Sequence, residues 1–422
     1  MNHIPVGFLP MSNTKSKFTY KGKEVSIITD FDNGALARVE EKETNIFDCW
    51  PYHPPEEFRA LMASFAFHFR LDGCRNKKVS FRFHVKEREK EEDPSIVYAN
   101  PDFPVYSYDE INWKRAENKS SHHDPTIEYG EIIFVEEKFL KNRVQIAYQY
   151  PYSNGHLYDY IDKIRASAFC EIEVAGRSTE GREIRQITIT DSNVPLREKK
   201  VIWLTGLQHP AEMGAGWGME GMIDFLLSED TMASEAREKY VFKFIPIVNV
   251  DSVAEGRGTE HSSKRNPNRE WERTDPIPEI GSIKRTLDEW KARGNAIDIF
   301  SDIHGFSSKD GRWYLVLLPE ESYSDKQRAE YKRLIEVIKK NIPSADSGPN
   351  PSVGYAAGAG CRRYGALSLS IDGWVYPWLV EGGKPPDLSS RYKSSNKVCS
   401  LESIKAAGAT FVKAFVEFSK TE

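Results

Sequence analysis

The sequence has few cysteines, and those it has lie far apart. Five cysteines occur in 422 residues, and no two of them form a CxxC pair. Small disulfide-bonded domains have an even and closely spaced set, so this odd and scattered set favours reduced thiols in a cytoplasmic protein. Cysteine is also a poor candidate for a zinc ligand here, because no two cysteines lie at chelating spacing.

The sequence also lacks a strong charge of one sign and a long apolar run. The formal net charge is −5, which argues against a nucleic-acid or anionic-membrane partner because no face of the protein has to be basic. No apolar run has the length needed to cross a bilayer, and the first residues have neither the basic start nor the apolar core of a signal peptide. We therefore expect a cytoplasmic protein without a membrane or nucleic-acid partner. The sequence does not indicate the oligomeric state.

The sequence does contain enough apolar residues for more than one core. A chain of 422 residues with 39% hydrophobic residues exceeds one ordinary compact core, so two domains are expected. Up to residue 150, short alternating runs such as residues 65–71 and 79–85 are separated by turn residues. This spacing predicts an N-terminal antiparallel β-sandwich domain over residues 1–150.

Beyond residue 150 the hydrophobic period changes. Short apolar runs such as residues 241–248 and 366–371 alternate with amphipathic segments such as residues 328–342. Strands that alternate with helices form a mostly parallel sheet with helices on both faces. Residues 151–422 are therefore predicted to form an α/β domain with a mixed, mostly parallel twisted sheet.

Three polar side chains follow the ends of two predicted strands. His209 and Glu212 come after the apolar run 201–204, and His304 comes after the apolar run 297–303. Open α/β sheets form their ligand crevices at the carboxyl ends of the strands. Two histidines and one glutamate make a zinc site with three protein ligands and a position left for water. The pattern therefore predicts a metallohydrolase with zinc on His209, Glu212 and His304.

Several short motifs accompany these ligands in a fixed order. They are Tyr150-Pro151-Tyr152-Ser153, His209-Pro210-Ala211-Glu212, Pro246-Ile247-Val248-Asn249-Val250-Asp251, Asn268-Arg269-Glu270-Trp271 and Asp302-Ile303-His304-Gly305. With these motifs the chain resembles the zinc carboxypeptidase (M14) family, and within it the cytosolic carboxypeptidase-like branch that has an N-terminal β-sandwich. The resemblance implies a carboxypeptidase-like catalytic domain over residues 151–422 with one Zn²⁺ per chain. It also implies a peptide or protein C-terminus as substrate, from which a metal-activated water releases the last residue.

The resemblance also implies roles for residues outside the ligand set. Asn268 and Arg269 match the pair that grips the terminal carboxylate of the substrate, since a planar guanidinium can hold a carboxylate with two hydrogen bonds. The alternative is that this arginine pairs with a neighbouring acid. Arg257 is the implied stabiliser of the oxyanion, with Arg265 as the alternative. Tyr355 is placed like the tyrosine that closes over the substrate, and a surface tyrosine is the alternative.

Two positions depart from the family pattern. The family's general base is a glutamate, whereas the predicted strand over residues 367–371 is followed by Asp372. Desolvation can raise the pKa of an aspartate enough for it to act as the base. Its side chain is one methylene shorter, so a base role for Glu381 and slow or absent turnover are the alternatives. At Asn266 the family has an acidic residue that orients a zinc-bound histidine, and an uncharged amide should make that imidazole a weaker ligand.

A preference for one kind of terminal residue is also implied by the resemblance. Cys361, Arg362 and Arg363 fall near the region where the branch places a basic residue that accepts acidic side chains. This implies a preference for a terminal acidic residue. The alternative is that the two arginines point outward or pair with Asp372 or Glu381.

Two other functions are compatible with the same residues. Related folds use the same ligands to hydrolyse amides, so an N-acyl amino acid deacylase is one alternative. A catalytically impaired zinc-containing protein that only binds peptides is the other, because Asp372 replaces the expected glutamate.

Overall fold

The computed structural model describes most of the chain, namely residues 17–52, 67–86, 104–124, 130–258, 261–305, 313–342, 345–349, 355–372 and 400–420. The described residues form three β-sheets, of six, five and eight strands. The first two sheets are built from the first part of the chain and the third from the rest. This is the order that the two hydrophobic periods predict.

Eleven short strands make up the first two sheets. They are β1 (Thr19–Lys21), β2 (Ser26–Ile28), β3 (Arg38–Glu43), β4 (Ile46–Trp50), β5 (His68–Asp72), β6 (Lys78–Lys86), β7 (Val105–Ser107), β8 (Trp113–Arg115), β9 (Lys119–Asp124), β10 (Gly130–Lys138) and β11 (Arg143–Ala147). The strand order is β1-β2-β5-β11-β7-β8 in the six-stranded sheet and β3-β4-β6-β10-β9 in the five-stranded sheet.

One buried cluster contains side chains from both of these sheets. Ile27 and Phe69 come from the six-stranded sheet, and Phe47 and Phe83 come from the five-stranded sheet. All four side chains are fully buried. Because alternate residues of a strand face opposite sides, one side of each sheet supplies this core. The predicted β-sandwich is therefore confirmed.

The prediction that the sandwich is antiparallel throughout is wrong at one pair of strands. β4 and β6 run parallel, with Phe47 opposite Phe81, whereas the other described pairs in these two sheets are antiparallel. β5, which separates them in the sequence, belongs to the other sheet. The chain therefore re-enters the five-stranded sheet in the direction in which it left.

The third sheet and its helices follow from residue 154 onward. The strands are β12 (Cys170–Arg177), β13 (Glu183–Ile189), β14 (Lys200–Gly206), β15 (Tyr240–Ile245), β16 (Ile299–Ile303), β17 (Trp313–Leu317), β18 (Ala345–Pro349) and β19 (Leu367–Asp372). The helices are α1 (Asn154–Ile164), α2 (Gly214–Leu226), α3 (Thr231–Lys239), α4 (Val250–Glu255), α5 (Pro278–Ala292), α6 (Asp325–Asn341), α7 (Ala356–Tyr364) and α8 (Leu401–Lys420), with short 3-10 turns at Leu196–Glu198, Pro267–Arg269 and Glu320–Ser322.

The centre of the third sheet is parallel and its flanks are mixed. The order is β12-β13-β15-β14-β16-β19-β17-β18, and β15, β14, β16 and β19 run parallel to their neighbours in this series. The pairs β12–β13, β13–β15 and β17–β19 are antiparallel. Every residue of β15 and β16 is buried, as expected for strands covered on both faces. The mixed, mostly parallel sheet predicted from the sequence is confirmed.

Helices pack on both faces of this sheet. Trp203 of β14 contacts Trp290 of α5, with ring centroids 6.1 Å apart. Phe242 of β15 pairs with the residue before Trp203 in the register, so its side chain lies on the opposite face. It contacts Phe415 of α8 at 6.5 Å. Among the described residues, no helix has both the length and the apolar character needed to cross a membrane.

The sandwich contacts the α/β region close to the ends of its central strands. The side-chain amide of Asn33 donates to the carbonyl of Val253 in α4 at 3.1 Å. The side-chain amide of Gln149 donates to the carbonyl of Ala211, which lies just after β14. The described hydrophobic core forms two clusters. Because one cluster has no residue beyond Tyr148 and the other consists mainly of residues beyond 150, we propose the domain boundary near residue 150 that the sequence predicts.

Candidate metal centre

The predicted ligands lie at one edge of the third sheet. β14 and β16 are parallel neighbours, and Gly206 pairs with Ile303 in their register. Because parallel strands end at the same edge, the segments that follow them meet there. His209 and Glu212 lie in the turn between β14 and α2, where the backbone N–H of Glu212 donates to the carbonyl of His209 at 3.0 Å. His304 directly follows β16.

The three side chains meet in the interior of the protein. Nδ1 of His209 lies 2.9 Å from Oε1 of Glu212, and Nδ1 of His304 lies 2.8 Å from Oε2 of the same carboxylate. One ligand atom from each residue lies within 4.8 Å of the other two. All three side chains are buried, and the most exposed of them, His304, is 7% exposed. The structure therefore brings together the residues that the sequence predicts as zinc ligands.

The nitrogens on the far side of each ring face oxygen acceptors. Nε2 of His209 lies 3.1 Å from Oδ1 of Asn266, and Nε2 of His304 lies 2.8 Å from Oδ2 of Asp302. An oxygen acceptor at this distance keeps a hydrogen on Nε2. Nε2 of His304 also lies 2.9 Å from Nδ2 of Asn268, but the charged carboxylate of Asp302 is a stronger partner than this neutral amide. In the neutral rings the lone pair is therefore on Nδ1. Both Nδ1 lone pairs therefore face the carboxylate of Glu212. An arrangement of acceptor atoms alone is stable only with a proton or a cation between them.

The electrostatics of this group favour positive charge between the side chains. Burial lowers the pKa of the His304 imidazole, but the charges of Glu212 and Asp302 outweigh burial and raise it well above its usual value. Burial also opposes ionisation of Glu212, yet the imidazoles of His209 and His304 lower its pKa to about 2. The site therefore holds a carboxylate with a cationic neighbour, and a divalent metal ion supplies that charge in place of a proton.

The donor set fits zinc. Two imidazole nitrogens and one carboxylate are ligands that zinc prefers in sites that keep an open position. In the part of the chain that the structure describes, neither Glu212 nor Asp302 forms an ion pair with a lysine or an arginine. Buried carboxylates are paired with cations or bind metal ions. A zinc ion held by His209, Glu212 and His304 meets that requirement.

The residues predicted to bind the substrate carboxylate lie next to this group. Asn268 is buried in the turn Pro267–Arg269, and its Nδ2 lies 2.9 Å from Nε2 of His304. Its Oδ1 accepts a hydrogen bond from the backbone N–H of Ala356, at the start of α7, at 3.0 Å. The guanidinium of Arg269 stacks on the ring of Tyr355, 3.7 Å from its centroid. Asn268, Arg269 and Tyr355 are therefore neighbours, as their predicted roles require.

The two candidate oxyanion arginines lie in different surroundings. Arg265 is held by Glu270, with Nε 3.0 Å from Oε1, and it also donates to the carbonyl of Asp275 at 3.0 Å. Arg257 forms an ion pair with Glu255. The next residue along the chain, Gly258, accepts a hydrogen bond at 2.8 Å from the backbone N–H of Ala211 in the ligand turn. This contact favours Arg257, although its role stays a prediction.

Asp372 ends the strand that lies beside β16. β19 runs parallel to β16, and Ile371 pairs with Ile303. The backbone N–H of His304 donates to the carbonyl of Ile371 at 2.7 Å. The backbone of Asp372 therefore continues from the same sheet edge as the ligands, which is the position expected for a general base. Glu381, the alternative base, lies outside the described residues.

The chain is similar to known zinc carboxypeptidases. The family model of zinc carboxypeptidases matches residues 157–376, which is more than half of the chain. The chain belongs to the zinc carboxypeptidase family. Cytosolic carboxypeptidase 2 of Danio rerio is 28% identical over 270 residues, which cover 58% of this chain and 36% of that protein. Cytosolic carboxypeptidase 6 of Mus musculus is 26% identical over 368 residues, which cover 83% of this chain and 65% of that protein.

A solved structure shares the fold over nearly the whole chain. The metallo-carboxypeptidase from Burkholderia cenocepacia has a TM-score of 0.71 and is 22% identical. The match covers 94% of this chain and 99% of that chain. This likeness includes the N-terminal sheets, so both parts of the chain have the carboxypeptidase-like arrangement. The chain spans about a third of the length of the cytosolic carboxypeptidase 2 proteins that it matches.

The two arginines implied in acidic specificity form ion pairs with carboxylates of the chain itself. Arg362 lies 2.8 Å from Oε1 of Glu272, and Arg363 lies 2.6 Å from Oδ2 of Asp288. Both ion pairs are partly exposed to solvent. From the sequence, the alternative was that these arginines point outward or pair with Asp372 or Glu381. Their partly exposed positions agree with the first possibility, and their carboxylate partners are Glu272 and Asp288.

The site contains two further residues, Asp302 and Gln208, and the sequence offers a signal for Asp302 alone. Asp302 stands two positions before His304, and residues two apart on an extended segment face the same side, so the spacing Asp-x-His was an available signal. Gln208 also contacts Asp302, through its Nε2 at 2.6 Å. No spacing or motif distinguishes Gln208 from an ordinary turn residue.

Proposed function

We propose that the protein is a zinc-dependent metallocarboxypeptidase that removes the C-terminal residue of a peptide or protein. The observation that supports this most strongly is the convergence of His209, Glu212 and His304, with both Nε2 atoms turned towards oxygen acceptors. One Zn²⁺ per chain would be held there. When bound, it supplies a Lewis acid that makes water more acidic and polarises the scissile carbonyl.

In this proposal Asp372 is the general base and Arg257 stabilises the oxyanion. Asp372 follows the residue whose carbonyl accepts from the backbone N–H of His304, and this backbone position beside a ligand residue supports its assignment as the base. It accepts a proton from the attacking water and returns it to the leaving amine. A guanidinium near the ligand turn stabilises negative charge that develops on the carbonyl oxygen.

Asn268 and Arg269 hold the terminal carboxylate of the substrate. The guanidinium carbon of Arg269 lies over the ring of Tyr355, 3.7 Å from its centroid, and a guanidinium carries its N–H donors at the edge of its plane. That edge can form two hydrogen bonds to one carboxylate. Asn268 touches His304, so a substrate held by this pair has its terminal residue beside the ligand group.

The test combines metal content with turnover. The purified protein is expected to contain one zinc per chain and to release the last residue from matched peptides. Asp372→Asn should lower kcat by about 100- to 10,000-fold, the usual contribution of a general base, with zinc content unchanged. Asp372→Glu is the matched variant that keeps a carboxylate. Full zinc with no turnover in either the unaltered protein or Asp372→Glu would favour a peptide-binding protein, and turnover of N-acyl amino acids but not peptides would favour a deacylase.

A preference for acidic terminal residues is a finer part of the proposal. Because Arg362 and Arg363 already contact carboxylates, these two residues lend it little support. Rates of release of terminal Glu, Lys and Phe from otherwise identical peptides test it directly. Equal rates would end the idea of an acidic pocket while leaving the carboxypeptidase proposal in place.

A further inference from the structure

Asp302 is a fully buried carboxylate that lies beside the ligand group and has no role in the proposed reaction. It lies in β16 two positions before His304, and its exposed fraction is 0%. Its Oδ2 lies 2.8 Å from Nε2 of His304. Among the described residues, the far nitrogen of one ligand histidine, His304, therefore has a carboxylate partner. The far nitrogen of the other, His209, has the neutral Asn266 as its partner.

Neutral donors hold the Asp302 carboxylate in place. The hydroxyl of Thr205 donates to Oδ1 at 2.9 Å, and the amide of Gln208 donates to Oδ2 at 2.6 Å. Thr205 and Gln208 are both buried. With the N–H of His304, the carboxylate accepts three hydrogen bonds from neighbours on two adjacent strands and the ligand turn. A carboxylate fixed in this way cannot turn away from the imidazole without leaving a buried donor unpaired.

Gln208 extends this contact to the segment that would bind the substrate. Its Oε1 accepts a hydrogen bond from Nε1 of Trp271 at 2.8 Å, and Trp271 is fully buried two residues after Arg269. A continuous series of hydrogen bonds therefore joins Trp271, Gln208, Asp302 and His304. The packing of the substrate-binding segment and the orientation of a metal ligand depend on the same series.

We infer that Asp302 is a positioning residue for the metal centre and that Gln208 couples it to the substrate-binding segment. This inference rests on the proposed function. Asp302 holds the hydrogen of His304 on Nε2, which directs the Nδ1 lone pair at the metal position and makes the imidazole a stronger ligand. The far nitrogen of His304 therefore faces a negative charge, on Asp302, whereas the far nitrogen of His209 faces the neutral amide of Asn266.

The experiment measures zinc affinity by competition with a chromophoric chelator, without substrate. Asp302→Asn should bind zinc about 10- to 100-fold more weakly, the usual cost of losing such a partner. Asp298→Asn is the matched control. Asp298 is a half-buried carboxylate at the other end of β16, and it accepts from the backbone N–H of Val201 at 2.7 Å. This control should keep the unaltered affinity.

A second measurement separates positioning from a merely structural role. With the site saturated by Co²⁺, the visible absorption band of Asp302→Asn should shift, because the ligand strength of His304 has changed. A structural defect would lower occupancy without moving the band. Gln208→Met provides a milder variant that keeps the carboxylate, and a loss of zinc affinity smaller than that of Asp302→Asn is expected from the lost support.

The results have distinct meanings for the two proposals. Zinc affinities of Asp302→Asn and Gln208→Met equal to that of the unaltered protein, or an unshifted cobalt band, would overturn the inference and leave the carboxypeptidase proposal standing. Weaker zinc binding together with a shifted band supports the inference even if the unaltered protein shows no peptide turnover, a result that would count against the proposed activity alone.

Discussion

Two buried groups of histidine and carboxylate side chains in the described part of the chain look alike when only distances are compared. They are the ligand group (His209, Glu212 and His304) and what we call the second group (Asp251, His261 and Glu279). In each group one ligand atom per residue lies within 4.8 Å of the others, and every side chain is buried. They differ in the position of the imidazole hydrogen and in the balance of charge.

In the second group the imidazole hydrogen points into the group. The backbone N–H of Ser263 donates to Nδ1 of His261 at 3.0 Å, so the neutral ring has its hydrogen on Nε2. Nε2 lies 3.1 Å from Oε2 of Glu279, which is within ion-pair range although the two atoms are not aligned for a hydrogen bond. A nitrogen that holds a hydrogen has no lone pair for a metal ion. In the neutral rings of the ligand group, the inward nitrogens have the lone pairs.

The charge of the second group is also balanced from within the protein. Asp251 accepts from the guanidinium of Arg182 at 2.7 Å, from the hydroxyl of Ser178 at 2.7 Å and from the backbone N–H of Glu180 at 2.8 Å. Short distances alone therefore do not identify a metal site. The direction of the imidazole N–H and the presence of a guanidinium decide which group needs a metal ion.

Removing one carboxylate from each group should separate them most clearly. Glu212→Gln should lower zinc affinity by more than about 100-fold, because even the loss of an outer partner costs about 10- to 100-fold. Glu279→Gln should keep one zinc per chain. Elemental analysis after dialysis against a weak chelator measures both. Loss of zinc from Glu279→Gln, or a second zinc in the unaltered protein, would show that the second group also binds metal.

The second group should instead contribute to folding stability. Asp251→Asn removes the charge that faces Arg182 and mismatches one buried donor, at a cost of about 2 to 3 kcal/mol in the free energy of unfolding. Because no metal is involved, urea unfolding should show the same loss with zinc or with a chelator present. A loss that appears only when zinc is present would contradict the structural role.

The ligand group and the second group also differ in how far they could be predicted from the sequence. His209, Glu212 and His304 were predictable because each follows a buried strand, and parallel strands end at one edge. The α/β class and the sandwich followed from a change of hydrophobic period near residue 150. The parallel pair β4–β6 was not predictable, since strand direction depends on which sheet receives β5.

The hydrogen-bond partners could be predicted only where regular structure relates them. Asp302 and His304 are two residues apart on one extended segment, so their common side follows from strand geometry. His261 lies in a loop and Glu279 at the start of α5, and no periodicity connects these positions to Asp251. Their approach depends on tertiary packing, as does the contact between Gln208 and Trp271.

The pH dependence of the metal-free protein should distinguish the two groups further. His304 has a raised pKa when folded, so its contribution to stability is present below about pH 6.5 and is lost as the pH rises through the raised value. Zinc replaces the proton, so the stability of the zinc-bound protein should rise over the same alkaline range. Urea unfolding across pH measures both trends. Glu279→Gln should keep the alkaline decline of the metal-free protein, and a decline that persists unchanged in Glu212→Gln would contradict its assignment to His304.

The smallest expected effect comes from adding charge at the far nitrogen of His209. Asn266→Asp keeps an oxygen acceptor for Nε2 of His209, 3.1 Å away in the present structure, and for the backbone N–H of Asn268 at 3.0 Å. The added charge should make His209 a stronger ligand and tighten zinc binding by about tenfold. Chelator competition measures the change. Ser263→Ala, beside the far nitrogen of His261, should leave zinc affinity unaltered. Weaker binding in Asn266→Asp would mean that repulsion from Asp302 and Glu212 outweighs the gain, so that the charge around the ligand group is already complete.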